Sequence, residues 1–406
     1  MVMNREKEID RTIGIIGGGI MGSGIARYFL TKDFRVTVLE ADKPLAQKVQ
    51  RKVSEAFLGE VEKGKLEKEK VTRWLDNFLV EANVELLKEA TIVIEAGPED
   101  LSLKKHLLKK VEKVLTSGAI ITSNTSALPI SALAAALSQP NRFLGTHFFN
   151  PAHVMPLVEV IPGIDTDPVV LNKILKFLSS VGKKPIRTRE CPGFLVNRIL
   201  GAYMNEVMWL LDGVAGINDV ETAAQQLGFP MGPVTVGDMV GWDIIHASNK
   251  TLFMYYGQRF ALPPLLTKLD SQKRHGIKTG KGLLDHSVRP SRPTEDFAPI
   301  SKNLDEKSIE GVKTRIKAAI IAESLRCLDE GVVSAGDLDN AMVMGAGLAA
   351  GPIVWADQIG LDQVLSQLED LSMRFGSRFW PSPILRIYVL AGHIGPSAGR
   401  GLIGRY

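Results

Sequence analysis

Cysteine, aromatic residues and long apolar runs are all scarce in this chain of 406 residues. The two cysteines, Cys191 and Cys327, are far apart and no CxxC pair occurs, which argues against a disulfide framework and a zinc site. No run approaches about 18 uninterrupted apolar residues, so the sequence predicts no transmembrane helix. The N-terminus, "MVMNREKEIDRT", is charged and lacks the apolar core and cleavage site of a signal peptide. We therefore expect a cytoplasmic, reduced protein with no metal site and no membrane partner.

An excess of charge of one sign is also missing. There are 49 Lys and Arg against 45 Asp and Glu, and the formal net charge is only +4. Because the two signs are interleaved, the pattern indicates a mixed solvated surface and no nucleic-acid partner. At roughly 150 residues per domain, the length predicts two or three domains.

The first half of the sequence contains apolar strands that alternate with helical patterns. The candidate strands are Ile13 to Ile16, "RVTVLEAD", "ATIVIEAGPED", "AIITSNTSALPI", "RFLGTHFF" and "LVEVIPG". A helix-rich stretch from Pro44 to Lys88 lies between the second and third of them. Strands that alternate with helices indicate a parallel, doubly wound sheet of Rossmann type. We expect this domain to span residues 1–189.

The second half is mostly helical and contains an internal repeat. "EVMWLLDGVAGINDVETA" and "GPVTVGDMVGWD" return later as "ESLRCLDEGVVSAGDLDNA" and "GPIVWADQIGLD", and "GIKTGKGLL" parallels "GPSAGRGLI". Chance similarity of amphipathic helices is the alternative, but the ordered series of matches favours a duplication. The sequence therefore predicts two all-α domains, 190–288 and 304–406, joined by a Pro- and Ser-rich linker at 289–303.

A glycine-rich turn follows the first strand. Gly17, Gly19 and Gly22 form G-x-G-x-x-G, which permits a tight turn, close approach of a pyrophosphate to the backbone, and close packing of helix on strand. The helix N-terminus then offers N–H groups to phosphate. Glu40, at the end of the next strand, can accept hydrogen bonds from ribose hydroxyls and would repel a 2′-phosphate, so the pattern favours NAD over NADP. The alternative is a tight turn that binds no ligand.

Polar residues also mark the ends of the later strands, where ligands collect in an open α/β sheet. They are Glu99, Asn124, Ser126 and His147. The alternative for Ser126 is a helix cap.

His147 and Glu159 stand out within an apolar segment, "THFFNPAHVMPLVEV". Imidazole titrates near neutrality and suits proton transfer, and a carboxylate on its other nitrogen would fix its tautomer. A Glu between two Val needs a partner, because burial of an unpaired charge is costly. Hairpin-like adjacency of the two strands would bring Glu159 to His147. A satisfied core histidine with a glutamate at an exposed edge remains the alternative.

Seven motifs in this order resemble the NAD-dependent (S)-3-hydroxyacyl-CoA dehydrogenases. They are "GIIGGGIMGSGIA", "VIEAGPEDLSLKK", "SNTSALPI", "THFFNPAHVMPLVEVIPG", "CPGFLVNRIL", "FPMGPVTVGDMVGWD" and "GIKTGKG". The resemblance covers nearly the whole chain. The doubled helical domain resembles the dehydrogenase part of multifunctional fatty-acid oxidation enzymes, and it implies that the two copies pack together. This chain would then be a monomer with an internal pseudo-dimer, or a homodimer.

The resemblance also implies site residues. It makes His147 and Glu159 the catalytic pair and places Ser126 and Asn197 around the substrate oxygen. The cofactor-binding positions that it implies are Gly17, Gly18, Gly19, Ile20, Met21, Gly22, Glu40, Glu99, Lys104, Ser126, Asn150 and Lys278.

The sequence departs from the family at three places. Glu40 stands where Asp is common, and "KGLLD" lacks a common aromatic pair. Val49 and Ala56 match the positions that usually contact coenzyme A, so nearby lysines are the candidates for that role: Lys48, Lys52, Lys65 and Lys68.

The implied activity is NAD-dependent oxidation of a (S)-3-hydroxyacyl-CoA thioester to the 3-oxoacyl-CoA, or the reverse reaction. Two alternatives stay open. One is a dehydrogenase of a non-CoA 3-hydroxy acid such as gulonate, and the other is a non-catalytic NAD-binding structural protein.

Overall fold

The structure, a computed structural model, describes residues 12–294 and 306–405. Its contacts divide the chain into two compact units, Met1–Glu190 and Cys191–Tyr406. Within the described residues, no helix is both long enough and apolar enough to cross a membrane.

A single sheet forms the centre of the first unit. Its strands are β1 (Thr12–Ile16), β2 (Arg35–Leu39), β3 (Phe78–Glu81), β4 (Ile92–Glu95), β5 (Ile120–Ser123), β6 (Phe143–Phe148), β7 (Leu157–Pro162) and β8 (Lys184–Arg187). They lie in the order β3-β2-β1-β4-β5-β6-β7-β8. All neighbouring pairs are parallel except β6 and β7. The strand order reverses between β1 and β4, which is where an open α/β sheet forms its ligand crevice.

Helices of the first unit cover the sheet. They are α1 (Ile20–Leu30), α2 (Lys43–Glu62), α3 (Lys68–Asp76), α4 (Leu101–Glu112), α5 (Ile130–Ala134) and α6 (Pro168–Ser180), with 3-10 turns at Val84–Leu87 and Pro140–Arg142. Asp42 and Asp100 begin α2 and α4 by accepting backbone N–H bonds of 2.8 and 2.7 Å. Every residue of β1 is buried, as expected for a strand in a parallel sheet covered by helices.

The predicted Rossmann-type fold is confirmed, but two strands were missed. β3 lies inside the stretch that was expected to be helical, and its four residues are buried only at alternate positions. β8 contains two basic residues and pairs with β7 at the edge of the sheet. Both strands are short, and neither has the continuous apolar run that identified the others.

The second unit is helical and contains each helix twice. The first series is α7 (Val196–Leu211), α8 (Ile217–Gln226), α9 (Pro233–Val240), α10 (Trp242–Tyr256) and α11 (Pro264–Ser271), and the second is α12 (Glu306–Asp329), α13 (Ala335–Ala346), α14 (Pro352–Ile359), α15 (Leu361–Phe375) and α16 (Pro383–Leu390). In the described part of this unit, 3-10 turns lie at Gly257–Phe260, Ile277–Thr279, Ser377–Phe379 and Pro396–Ala398. The duplicated helical architecture is as predicted.

Equivalent aspartates close both copies in the same way. Asp238 of α9 accepts bonds of 3.1 and 3.0 Å from the N–H groups of Leu283 and Leu284. Asp357 of α14 accepts bonds of 2.9 and 3.0 Å from the corresponding N–H groups near the C-terminus. Each buried carboxylate therefore fixes the final loop of its own copy.

The two copies pack against each other through α7 and α12. Arg198 Nε donates to Glu323 across 2.6 Å, and Arg315 Nε donates to Glu206 across 2.7 Å. These four side chains occupy equivalent positions in the repeat and all are buried. The pair of reciprocal ion pairs is the pattern expected of two copies related by an approximate two-fold axis.

The start of the expected linker is part of the fold. Leu284–Asp285 (β9) pairs antiparallel with Arg292–Pro293 (β10), and Thr294 is buried. Residues 289–294 are therefore attached to the first copy, which sequence composition did not reveal. Residues 295–303 of the expected linker lie outside the described residues.

Candidate active site

The glycine turn between β1 and α1 has the steric features of a dinucleotide loop. Gly17 has φ +88°, and a Cβ on Gly22 would lie 1.8 Å from the Gly17 carbonyl oxygen, so neither position accepts a side chain. A Cβ on Gly19 would meet nothing within 4 Å. The turn therefore packs tightly against the protein at Gly17 and Gly22. The space next to Gly19 is free of protein atoms and has room for a phosphate.

The N-terminus of α1 provides hydrogen-bond donors beside this opening. The helix begins at Ile20 and no side chain caps it. Its first N–H groups have no partner within the helix and carry the positive end of its dipole. These features fit the pyrophosphate of NAD.

Glu40 lies at the end of β2 and contacts the same turn. Its Oε1 accepts the N–H of Gly18 at 2.5 Å, and its Oε2 accepts the N–H of Ala41 at 3.2 Å. A Cβ on Gly18 would lie 2.5 Å from Val49. The carboxylate is thus fixed beside the glycine turn, at the strand end where a ribose would bind.

His147 and Glu159 form the hydrogen-bonded pair that the sequence predicted. They lie opposite each other on β6 and β7, and His147 Nδ1 is 2.8 Å from Glu159 Oε2. The histidine is 5% exposed and the glutamate 0%. Since a carboxylate only accepts, the Nδ1 proton points to Glu159 and the Nε2 atom faces the opposite direction.

Ser126 completes this constellation. Ser126 is an exposed residue of the loop that follows β5, and its Oγ lies 3.1 Å from His147 Nε2. Glu99 holds the loop by accepting from Thr125 Oγ1 at 2.5 Å and from the N–H groups of Ser126 and Ala127 at 2.9 and 3.0 Å. Glu99 therefore determines where Ser126 meets the imidazole.

Lys104 is buried beneath the rim of the sheet. Its Nζ donates to Glu95 at 2.7 Å and to the Gly97 carbonyl at 3.0 Å, and it lies 3.5 Å from Glu99. The side chain is 1% exposed, so its visible role is to fix the loop after β4.

Glu95 at the end of β4 was missed by the sequence reasoning. It is fully buried and accepts from Lys104, from the Gly97 N–H and from Ser123 Oγ at 2.5 Å. A Glu within the apolar strand "IVIE" is the same signal that identified Glu159, and it could have identified this residue too.

Asn150 follows β6 and its side chain is exposed.

Lys183 holds the loop after Asn150 and is a second residue that sequence reasoning missed. Lys183 Nζ donates to the carbonyls of Ala152 and Met155, both at 2.7 Å, and lies 3.8 Å from the centre of the Tyr28 ring. Burial, with a contribution from nearby Lys32, lowers the pKa of Lys183 to about 8. Nothing in "GKKP" distinguishes this lysine from a surface one.

The lysines predicted to bind coenzyme A lie on three segments: Lys48 and Lys52 on α2, Lys65 in the turn after it, and Lys68 at the start of α3. Lys48 and Lys52 are exposed and one helical turn apart, whereas Val49 is buried against the core. Both ammonium groups are therefore accessible on the outer face of that helix.

Asn197 and Lys278 belong to the second unit. Asn197 is half-buried in the first turn of α7. Lys278 pairs with Asp243 at 2.5 Å, and this hydrogen bond, against the opposing effect of partial burial, holds the pKa of Asp243 below its usual value. Asp243 was not predicted as a site residue.

A metal centre is not part of the described site. No group of three or more His, Cys, Asp or Glu side chains within residues 12–294 and 306–405 is placed to hold a metal ion.

Two family models match most of the chain. The model described as "3-hydroxyacyl-CoA dehydrogenase, NAD binding domain" matches residues 12–191. The model described as "3-hydroxyacyl-CoA dehydrogenase, C-terminal domain" matches twice, at residues 193–286 and 312–404.

Similar proteins are known in sequence and in structure. A fatty acid oxidation complex subunit alpha from a Shewanella species (strain MR-4) is 34% identical over 389 residues, which is 92% of this chain and 54% of that protein. The chain thus spans about half the length of that relative. A 3-hydroxybutyryl-CoA dehydrogenase from Escherichia coli K12 is 27% identical with a TM-score of 0.85, covering 94% of this chain and 98% of the other. The (S)-3-hydroxybutyryl-CoA dehydrogenase of Ralstonia eutropha is 33% identical with a TM-score of 0.65, covering 67% and 98%.

Proposed function

Since the chain belongs to the 3-hydroxyacyl-CoA dehydrogenase family, we propose that it interconverts (S)-3-hydroxyacyl-CoA and 3-oxoacyl-CoA with NAD as cofactor. The observation that carries this proposal is the position of His147, between the carboxylate of Glu159 and the hydroxyl of Ser126. This arrangement provides an oriented base next to a hydrogen-bond donor for the reacting oxygen.

In the oxidative direction, His147 Nε2 takes the proton of the substrate 3-hydroxyl. Bound NAD supplies the acceptor for the hydride that leaves C3. Loss of the hydroxyl proton to His147, together with loss of the hydride from C3, converts the secondary alcohol to the carbonyl.

Glu159 fixes the ring and stabilises the imidazolium that forms. Because the carboxylate is fully buried, water does not compete for its bond to Nδ1. Ser126 Oγ is within reach of both Nε2 and a substrate oxygen bound there, and its place is determined by Glu99. The roles predicted for Asn197 and Lys278 remain predictions.

We propose an acyl-CoA thioester as the substrate. Lys48 and Lys52 would contact the phosphates of its coenzyme A part. Both are exposed on α2, which begins just after Glu40. The names of the two similar dehydrogenases support a short 3-hydroxyacyl chain.

We also propose that the second helical copy replaces a partner subunit. The reciprocal pairs Arg198–Glu323 and Arg315–Glu206 support this role, because they join equivalent faces of the two copies. We therefore expect the protein to be monomeric in solution. Sedimentation velocity over a range of concentrations tests this oligomeric state.

The proposed reaction is tested by NADH oxidation with acetoacetyl-CoA. We expect saturable turnover, and we expect His147→Ala to lower turnover by several orders of magnitude to a small residual rate while it still binds NADH. Turnover of gulonate with NAD and none of any acyl-CoA would support the non-CoA alternative. NADH binding without turnover of either substrate class would identify a non-catalytic protein.

A further inference from the structure

A cavity of about 400 Å³ lies in the second unit, where the two copies meet. Its walls come from α8 of the first copy and from α12, α14 and α15 of the second. The charged, polar and aromatic side chains that line it are Gln226, Glu310, Lys313, Thr314, Lys317, Trp355 and Gln367, so the lining holds two lysines and one glutamate. The volume is within the range of about 300–1,000 Å³ that small-molecule sites occupy.

The cavity has an uncompensated positive charge. Lys317 Nζ lies 5.3 Å from the centre of the Trp355 ring and has no acidic partner within the described part of the chain. Burial and the neighbouring ammonium of Lys313 lower the pKa of Lys317, and Glu310 offsets only part of this effect. Lys313, one helical turn earlier, pairs with Glu310, whose side chain is 59% exposed at the rim.

The internal repeat shows that this charge is specific to the second copy. Arg315 is equivalent to Arg198 in the repeat, so Thr314, which lines the cavity, is equivalent to Asn197. The cavity therefore lies on the side of the second copy that corresponds to the side of the first copy bearing Asn197. At the positions equivalent to Lys313 and Lys317, the first copy has Val196 and Leu200. Two apolar positions of one copy are therefore lysines in the other, and both lysines line the same cavity.

We propose that this cavity binds a small organic phosphate. Two ammonium groups one turn apart on a helix match the double negative charge of a phosphate group, and lysine binds phosphate well as a point charge. The side-chain amides of Gln226 and Gln367 and the ring of Trp355 then contact the organic part. The occupant touches helices from both copies, so its binding stabilises their packing.

Calorimetric titration of the full chain with pyrophosphate and with ADP tests the site. We expect Lys317→Gln to weaken binding about tenfold or more. The matched control is Lys250→Gln, which removes an exposed lysine of α10 in the same unit and leaves binding unchanged. Equal affinity in the wild type and in Lys317→Gln overturns the proposal.

A second variant separates loss of the site from a folding defect. Glu310 competes with the anion for Lys313, so Glu310→Gln is expected to tighten pyrophosphate binding several-fold. Damage to the fold cannot produce such a gain. Unchanged or weaker binding in Glu310→Gln contradicts the proposed position of the phosphate.

The glycine turn of the first unit is the other place where these probes could bind. Gly19→Asp puts a carboxylate at that turn, and its Cβ has open space. We expect pyrophosphate binding at the cavity to persist in Gly19→Asp. Binding that disappears in Gly19→Asp and survives in Lys317→Gln assigns the phosphate to the turn and overturns the proposal.

Discussion

Arg198 donates from Nε to Glu323 across 2.6 Å and so joins the first helix of one copy to the first helix of the other. The arginine is 0% exposed and the glutamate 1%. The arginine also forms a pair with Glu330, which is 40% exposed. The same guanidinium therefore contacts one buried and one accessible carboxylate.

Glu323→Gln is expected to destabilise the second unit by about 3–5 kcal/mol, because it removes the buried carboxylate that pairs with both Arg198 and Arg326. The control Glu330→Gln breaks a partly exposed pair and is expected to cost about 1 kcal/mol or less. Denaturant unfolding followed by tryptophan fluorescence measures both values, since all tryptophans except Trp74 lie in that unit. Equal losses for the two variants would contradict the structural role of Glu323.

Glu159→Gln is expected to lower kcat by about 10²–10⁴-fold, because the amide no longer stabilises the imidazolium of His147. The Michaelis constant for substrate changes little if Glu159 acts only through the histidine. Steady-state rates with acetoacetyl-CoA and NADH measure this split.

Combination with His147→Ala provides the control for that prediction. Since the two residues act as a unit, the double variant is expected to be no slower than His147→Ala alone. Additive losses would mean that Glu159 contributes independently of the histidine.

Glu40→Ala is expected to weaken NADH binding about 10–100-fold and to improve the use of NADPH, because the carboxylate that accepts ribose hydroxyls and repels a 2′-phosphate is gone. The ratio of kcat/KM for the two cofactors measures the change. Asp42→Asn is the matched control, since it removes a neighbouring charge and keeps a residue suited to begin α2. If Glu40→Ala and Asp42→Asn changed the ratio of kcat/KM for NADH and NADPH by a similar factor, the effect would come from the loss of negative charge in this region and not from the position of Glu40.

Site residues were predictable from the sequence where the strand around them made them unusual. Residues whose burial depends on contacts distant in sequence were not predictable. Glu159 was identifiable because a buried carboxylate in an apolar strand needs a partner. Its partner, His147, lay on the adjacent predicted strand. Lys183 gave no such signal, because its neighbours in sequence are those of a surface lysine. It is buried next to the ring of Tyr28, which is distant in sequence.

The missed strands have a related cause. β3 and β8 are short strands that pair on one side with strands already predicted, and the sheet stabilises them more than their own composition does. The glycine turn was predictable in detail, since the steric demands at Gly17 and Gly22 depend on backbone atoms within a few residues.

Lys183→Met is expected to destabilise the first unit by about 1–3 kcal/mol at pH 7, because the buried carbonyl of Ala152 and the partly buried carbonyl of Met155 lose their donor. The exposed neighbour provides the control, and Lys184→Met is expected to change stability little. Urea unfolding of both variants measures these effects.

The same lysine predicts a pH dependence whose sign is fixed by its pKa. In the folded state the pKa of Lys183 is about 8, below its ordinary value of 10.5, so the unfolded chain holds the proton over a window in which the folded chain has released it. Stability from this group therefore rises with pH between about 8 and 10.5. The neutral amine still has two hydrogens for the two carbonyls, so the contacts survive deprotonation. The stability difference between wild type and Lys183→Met should widen from pH 8 to 10, and a constant difference would contradict a charged, buried Lys183.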